Sequence, residues 1–202
     1  MKKMKTLKKN SIKMLLTFSF IFLLQFNACA QSGNSKNTKS GNNPNTHSIA
    51  EKPNVDIQTA IVTGNLEAVK QHIEAGTDIN MKDQMSGSTP LITAATFGQT
   101  AIAKALIDAN ADPDIKNNEG STALHAAAFF CRIEIVQMLI DAGADKSIQN
   151  NHAATARQSV TVPFAEMKPI YEMIQKQLGP IGLKLDLKEV ETARPIIAMM
   201  LQ

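Results

Sequence analysis

The sequence predicts an all-α solenoid, built from short helix-turn-helix repeats that stack side by side. Three observations predict it. Thr89, Thr122 and Thr155 lie 33 residues apart. The segments between them repeat in the same register, since Ile107-Asp108-Ala109 returns 33 residues later as Ile140-Asp141-Ala142. Within each unit, the apolar residues have helical spacing. A fixed period of this length is typical of solenoids, whose repeats bury their apolar faces against one another.

Each repeat carries signals for the start of a helix. Thr89 and Thr122 can accept a hydrogen bond from the first turn of a helix, and Pro90 suits the first helical position. Ile102 and Leu106 then mark one apolar stripe on a second helix. The order predicts two helices in each repeat.

Signals for the end of a helix also recur. Gly76 and Gly143 stand where the second helix has to end in a left-handed turn, and Asn110 takes this place in the repeat between them. Cys131 stands where other repeats have glycine, at Gly64 and Gly98. If Cys131 keeps a positive φ, its side chain costs about 1 kcal/mol.

These segments resemble the ankyrin repeat. The family's pattern is a Thr-Pro-Leu-His turn into a first helix, an alanine pair, a second helix and a closing Gly-Ala-Asp turn. One complete unit is Gly120–Ala128, Ile133–Ile140 and Asp141–Asp145. The resemblance implies an ankyrin-repeat solenoid with hairpin-like finger loops, and a protein that binds other proteins.

The chain divides into four predicted segments. They are a signal peptide (1–28), a tether rich in Ser, Asn and Gly (29–50), ankyrin repeats (51–163) and a helical C-terminal cap (164–202). The repeats are expected at about 51–83, 84–117 and 118–150, with a degenerate unit from 151. A small separate C-terminal domain is the alternative, although fewer than fifty residues make a poor independent core.

Prolines and glycines divide the predicted cap. A helix is expected over 166–177 with a fresh start at Pro169, because a proline inside a helix breaks it. A loop is expected at 179–182. Asp186 is then predicted to cap a helix through Thr192, and Pro195 to begin a last helix that ends near Leu201.

The N-terminus resembles an export signal. Six lysines precede an apolar run at 14–24, which is too short for a spanning helix. Asn27-Ala28-Cys29 resembles the lipobox of bacterial lipoproteins, which implies a lipid anchor on Cys29 and an outer-membrane protein that faces the periplasm. Cleavage before Gln31, which would give a soluble periplasmic or secreted protein, stays open. The polar tether cannot bury a core and is expected to be disordered.

The net charge of +3 belongs to the signal. Without residues 1–28, 15 basic residues stand against 18 acidic ones, and the net charge is −3. No clustered basic face is expected, and we therefore expect no nucleic-acid partner.

We find no pattern that predicts a catalytic, cofactor or metal site, and we expect no small-molecule substrate. Asp112, Asp114, Asp141 and Asp145 recur with the repeats, so each is assigned to its turn. His125 completes a Thr-x-Leu-His turn, where the family uses histidine to brace neighbouring loops. His72 is expected to have a packing role, and Cys131 is expected to be partly buried and unreactive.

The resemblance predicts that a protein partner binds the concave face and the finger loops. Aromatic residues are the usual anchors of such interfaces, although the phenylalanines could instead fill gaps between first helices. The predicted binding residues are Met85, Ser86, Ser88, Thr96, Phe97, Asn118, Glu119, Ser121, Phe129 and Phe130.

The function predicted is therefore a non-catalytic, monomeric module in the cell envelope that binds another envelope protein. Two alternatives stay open. One is an immunity or inhibitor protein that blocks an envelope enzyme or toxin. The other is an accessory factor to an oxidative-stress enzyme, for which Cys131 would be the reactive group.

Overall fold

The computed structural model describes residues 53–202, and the signal, Cys29 and the tether lie outside this range. The described part contains helices, a 3-10 turn at Gly179–Ile181 and no strand. The isolated bridge found there joins Gln149 to Thr155. The helices are α1 (Ile57–Val62), α2 (Leu66–Glu74), α3 (Pro90–Phe97), α4 (Thr100–Asp108), α5 (Ala123–Phe129), α6 (Ile133–Asp141), α7 (Ala156–Thr161), α8 (Phe164–Leu178) and α9 (Leu187–Met200).

The helices stack in two rows. The first helices of the repeats (α1, α3, α5 and α7) pack in order, and the second helices (α2, α4, α6 and α9) pack in order behind them. Small residues allow this close approach, because Ala60, Ala94 and Ala127 are completely buried between first helices. The all-α solenoid predicted from the sequence is confirmed.

The helix boundaries follow the local signals. Thr89 Oγ1 accepts a hydrogen bond from Ile92 N at the start of α3. Asn110 follows the end of α4 with a φ of 63°, as predicted for a residue that stands where other repeats have glycine. Cys131 also keeps a positive φ of 56°, which confirms that a side chain occupies a left-handed position there.

The fourth repeat is interrupted. In the first three repeats, two or three residues join the first helix to the second. In the fourth, residues 162–186 separate α7 from α9, which packs on α6 and α7 as the second helix of that repeat. The segment assigned to a cap thus contains one ordinary repeat helix, α9, and one inserted helix, α8.

Two predicted helix breaks are wrong. α8 runs without interruption through Pro169, and α9 runs through Pro195. Both prolines lie on exposed faces of their helices, so water can hydrogen-bond the carbonyl that each proline leaves without its usual N–H donor.

The expected loop at 179–182 begins with a 3-10 turn. The cap at Asp186 is confirmed, since its carboxylate accepts hydrogen bonds from Lys188 N and Glu189 N.

The inserted segment forms a second apolar core. One face of α8 packs against Phe97 and Phe129, which end α3 and α5, while Val62 at the end of α1 lies at the edge of the same cluster. A methyl group added at Gly182 would lie 3.2 Å from the carbonyl oxygen of Val62. The insertion therefore extends from the fourth repeat back to the first, along the C-terminal ends of the first helices.

Candidate interaction site

The finger loops are tight turns organised by one polar side chain each. The carboxylate of Asp83 accepts hydrogen bonds from the backbone N–H groups of Met85, Ser86 and Ser88. Burial opposes the charged form of Asp83, but these bonds and one from the Ser86 hydroxyl outweigh it and lower the pKa of the carboxyl group. The loop is thus fixed by a charged acceptor at its centre.

The next two loops use asparagine in the same place. Asn117 Oδ1 accepts hydrogen bonds from the N–H groups of Glu119 and Ser121. Asn150 Oδ1 accepts from His152 N and Ala154 N. The three loops therefore share one backbone shape, as the repeat register predicts.

A ladder of asparagine hydrogen bonds ties each loop to the next. Asn118 Nδ2 donates to Met85 O at 3.1 Å, and Asn151 Nδ2 donates to Asn118 O at 2.9 Å. The ladder needs glycine at two positions, because a methyl group on Gly87 or Gly120 would lie less than 2.5 Å from the next asparagine side chain. The fingers therefore form one connected surface.

The predicted finger residues divide by exposure. Met85 is 49% exposed and Asn118 is exposed, so both lie at the surface. Ser86 and Glu119 are half-buried, and Glu119 Oε2 lies 3.7 Å from Nε2 of His152. Ser88 and Ser121 are buried at the bases of their loops, which leaves them unsuited to contact a partner. Exposure beyond the predicted set adds Met81, which is 56% exposed and which the repeat pattern did not single out.

The predicted binding residues at the ends of the first helices also differ in exposure. Phe97 and Phe129 are buried under α8, whereas Thr96 and Phe130 remain half-buried. The ring of Phe130 packs edge-on against that of Phe129, with 5.0 Å between the ring centroids. Of the two roles open from the sequence, the structure shows packing for Phe97 and Phe129, but against the inserted helix rather than between first helices.

A buried polar network joins the insertion to the repeats. Tyr171 on α8 donates its hydroxyl proton to Phe129 O at 2.8 Å, and Arg194 on α9 donates to the Tyr171 oxygen at 2.8 Å. Arg194 is 3% exposed and also donates to Val162 O. Burial raises the pKa of the Tyr171 hydroxyl, so Tyr171 stays protonated. Sequence reasoning missed both residues, although the chain has one tyrosine and Arg194 interrupts the apolar stripe of α9.

Two of the histidines, His125 and His72, have structural roles. His125 Nε2 lies 3.0 Å from Ala154 O, and its Nδ1 lies 2.9 Å from Thr122 Oγ1. His125 therefore braces the following loop, as the resemblance predicted. His72 is buried, with Nε2 2.8 Å from Val55 O and Nδ1 3.1 Å from Thr77 Oγ1.

Cys131 lies between the two apolar cores as a free thiol. Burial raises the pKa of this thiol to about 11, against the smaller opposing influence of Arg194 and Arg132. The thiolate is the reactive form of cysteine, so the group is a weak nucleophile at neutral pH.

Two aspartates of the closing turns hydrogen-bond within their own turns, whereas Asp114 Oδ1 accepts from Asp145 N in the turn of the next repeat. Asp112 Oδ1 accepts from Asp114 N, and Asp145 Oδ1 accepts from Ser147 N. Asp141 accepts from Gln137 on its own helix. No group of three or more potential metal ligands occurs among residues 53–202. In the same range, no helix has the length and apolar character needed to cross a bilayer.

Stacked helix pairs and hydrogen-bonded finger loops define a helical repeat protein that presents an extended surface. The family model for ankyrin repeats matches residues 57–150, where it finds three copies of the repeat. This part of the chain is a run of ankyrin repeats, and such repeats indicate a protein-protein interaction module.

Two curated relatives match a shorter stretch. Protein phosphatase 1 regulatory subunit 27 from Homo sapiens and its counterpart from Mus musculus are each 41% identical over 63 residues, which cover 31% of this chain. The match spans 40% of the length of each relative. These relatives are named as regulatory subunits of a phosphatase.

Among solved structures, the chain is similar to the ankyrin repeat domain of Bcl-3, a member of the IkappaB protein family. The sequence identity is 31% and the TM-score is 0.49, with 51% of this chain and 45% of that chain covered.

Proposed function

We propose that this protein is a non-catalytic, monomeric module that binds a protein partner through its finger loops. The observation that carries this proposal is the first finger loop, where Met81 and Met85 are 56% and 49% exposed. Exposed apolar side chains on a rigid loop are suited to contact a partner, because little conformational freedom is lost on binding. Methionine adapts its shape to irregular surfaces.

The other fingers supply the polar part of this surface. Asn118 is exposed beside Met85, and Glu119 is half-buried in the same loop. The half-buried Thr96 and Phe130 lie on first helices or directly after them, where the concave face would extend the contact. Phe97 and Phe129 are not part of the proposed contact while α8 covers them.

An enzyme is the second candidate for the kind of partner. The observation that favours it is the similarity of 63 residues to subunits named as regulators of a phosphatase. This protein would then be an inhibitor or immunity protein for that enzyme. The raised pKa of Cys131 disfavours a reactive thiolate and therefore argues against the oxidative-stress alternative.

The location proposed for this module is the cell envelope, with a lipid anchor on Cys29 and residues 29–50 as a tether. The support is the sequence alone: a lysine-rich start, a short apolar run and the sequence Asn27-Ala28-Cys29. Fatty-acid labelling of the wild-type protein and of Cys29→Ala tests this. Labelling of the wild type alone is expected, and an unlabelled wild type would contradict the anchor.

The partner contact is tested by crosslinking in the cells that produce the protein. The double variant Met81→Gln, Met85→Gln is compared with the wild type and with Met199→Gln. Met199 is a matched control, because it is 61% exposed on α9, away from the fingers. One partner captured by the wild type and by Met199→Gln, but lost from the double variant, is the expected result. Equal capture by all three proteins would overturn the proposed site.

A further inference from the structure

Two exposed thioether groups belong to one finger loop. Among residues 53–202, the large apolar side chains that are exposed are Met81, Met85, Ile196 and Met199. Met81 and Met85 lie in the first finger loop, and their exposed fractions are 56% and 49%. About half of each side chain is in contact with solvent, so a small dissolved molecule can reach both methionines.

The equivalent positions of the next loop carry no sulfur. Met85 corresponds to Asn118 and Asn151, because Asn118 Nδ2 donates to Met85 O just as Asn151 Nδ2 donates to Asn118 O. Met81 lies two residues before the central acceptor of its loop, where the second loop has Ile115. The first finger loop therefore differs from its neighbour by two side chains that can be oxidised.

The backbone of the first finger loop is held by groups other than its methionine side chains. The Asp83 carboxylate accepts hydrogen bonds from Met85 N at 2.8 Å and from Ser86 N and Ser88 N at 2.7 Å. Met81 N donates to the carbonyl of Asp78. A chemical change at the two thioethers therefore leaves the loop folded and alters only the surface that the loop presents.

Exposure separates these thioethers from the other sulfur groups in the described part of the chain. Met167 is completely buried, and Cys131 is a half-buried thiol that burial keeps protonated. A thioether has no proton to lose, so its oxidation depends on exposure rather than on a pKa. The sulfur groups that a dilute oxidant modifies first in this range are those of Met81, Met85 and Met199.

We propose that Met81 and Met85 form an oxidation site that controls the binding of the partner at the finger loops. The oxidant is a peroxide, and hydrogen peroxide is its simplest form. The thioether sulfur attacks one peroxide oxygen, so that an S–O bond forms and the O–O bond breaks. The sulfur loses two electrons and becomes a sulfoxide, while the peroxide gains them and leaves as water.

Oxidation converts an apolar contact into a polar one. The sulfoxide oxygen is a hydrogen-bond acceptor that binds water, and burying it without a donor costs free energy. The first finger loop therefore binds its partner in the reduced form and releases it in the oxidised form. Methionine sulfoxide can be reduced enzymatically, so the change is reversible. This inference rests on the proposed protein-binding function and adds its regulation.

Peptide mapping by mass spectrometry tests the oxidation site without any partner. The folded protein is exposed briefly to hydrogen peroxide, and circular dichroism establishes that it stays folded. Met81 and Met85 are expected to be oxidised at least about 10-fold faster than the buried Met167. Oxidation of all three methionines at the same rate would overturn the proposal.

Binding to the partner that crosslinking identifies then tests the regulation. The oxidised wild type is expected to bind at least about 10-fold more weakly than the reduced wild type. Treatment with methionine sulfoxide reductases for both epimers, with dithiothreitol as the reductant, is expected to restore binding. Dithiothreitol alone reduces oxidised thiols but not sulfoxides, so it is expected to restore nothing. Recovery with dithiothreitol alone would assign the effect to Cys131 and overturn the proposal.

Two variants locate the effect within the protein. The double variant Met81→Leu, Met85→Leu lacks both thioethers, and its affinity for the partner is expected to be the same before and after peroxide treatment. Met199→Leu is the matched control, because Met199 is 61% exposed but lies on α9, away from the fingers. Met199→Leu is expected to be as sensitive to peroxide as the wild type. Sensitivity that persists in the double variant would contradict the assignment to the finger loop.

Failure of this inference is distinguishable from failure of the proposed function. If the variant Met81→Gln, Met85→Gln captures the partner as well as the wild type does, the first finger loop is not the contact site. If that variant loses the partner but the oxidised wild type retains it, the contact site stands and control by oxidation alone is overturned.

Discussion

The first three repeats and the fourth are built from the same two helices, but they differ in what joins those helices. In the third repeat, residues 130–132 join α5 to α6, and in the fourth, residues 162–186 join α7 to α9. The three-residue connection keeps both helices in one packing unit. The longer one allows an additional helix to leave the repeat and cover its neighbours.

The two regions also hold their helices by different contacts. The regular repeats interlock through alanines that are completely buried, such as Ala94 and Ala127. The inserted helix is held by larger side chains and by the hydrogen bonds of Tyr171. Alanine contacts place two backbones close together, whereas the insertion packs at the distance of long side chains. α8 is therefore added to a solenoid that already has a continuous core.

Shortening a buried side chain is expected to have the largest effect on stability, and a larger one in the regular repeats than in α8. Leu106→Ala in α4 is expected to destabilise the protein by about 3–4 kcal/mol, because a cavity forms in the interlocked repeats. Met167→Ala in α8 is expected to cost about 2–3 kcal/mol. Both residues are completely buried in the wild type. Urea unfolding followed by circular dichroism measures the loss in each variant.

Hydrogen exchange then locates the two effects. Met167→Ala is expected to speed exchange of amides in α8 and to leave those of α3 and α5 protected. Leu106→Ala is expected to lower protection throughout the repeats. If Met167→Ala exposes the amides of α3 and α5 as strongly as Leu106→Ala does, the two regions form one cooperative unit, and the comparison fails.

A smaller effect is expected at the finger loops. Gly120→Ala places a methyl group 2.8 Å from the backbone nitrogen of Asn151, at a residue with φ of 71°. We expect a loss of about 2 kcal/mol, of which about 1 kcal/mol reflects the left-handed backbone. Gly76→Ala is the matched control, because its φ is 70° and nothing lies within 4 Å of the added methyl group. Equal shifts of the urea midpoint would mean that the asparagine ladder relaxes without cost.

The histidine brace is expected to contribute less. His125→Gln inserts the residue that the fourth repeat has in this position, Gln158. Gln158 accepts from Thr155 N within its own turn. We expect a loss of about 1 kcal/mol at pH 8, because the hydrogen bond from His125 to Ala154 in the next loop is broken.

The same variant makes the pH dependence testable. Burial lowers the pKa of His125 below its ordinary value of 6.5. The unfolded chain therefore binds more protons in mildly acidic solution, and the contribution of His125 is complete above pH 6.5 and declines as the pH falls. The stability difference between the wild type and His125→Gln is expected to narrow below pH 6.5. A difference that widens there would contradict the assignment of a neutral histidine.

The smallest effects are expected from exposed ion pairs. Lys104 and Asp108 pair at 2.8 Å on α4, and Lys168 and Glu172 lie 3.9 Å apart on α8. Lys104→Ala and Lys168→Ala are each expected to cost less than about 0.5 kcal/mol in urea unfolding. A loss above about 1 kcal/mol for Lys168→Ala would mean that outer charges, not the apolar face, hold α8 in place.

Much of the regular region followed from local signals. The period of 33 residues predicted the solenoid, and the recurring glycines predicted the left-handed turns. The resemblance to the ankyrin repeat, rather than a local signal, placed His125 correctly as a brace. Helix ends are set by residues within a few positions of one another, so they can be read without knowing the fold. The helix breaks predicted at Pro169 and Pro195 are wrong. A helix tolerates a proline on its solvent-exposed face, and the sequence alone did not show which face that is.

The site was less predictable. Ser88 and Ser121 lie close in the sequence to exposed loop residues, but the turns bury both serines at the bases of their loops. Phe97 and Phe129 fit a concave aromatic patch as well as a core. Their role is decided by a helix that begins 35 residues after Phe129, and no local pattern specifies that contact.

The repeat, its helices and its finger loops could be predicted from the sequence, because each unit carries its own short-range spacing and turn residues. Which surfaces remain open depends on the tertiary structure. The return of α8 along the first helices depends on side chains from several repeats and on Tyr171 reaching the end of α5. Contacts between residues so far apart in the chain depend on the folded stack, which brings the C-terminal ends of the first helices side by side under α8.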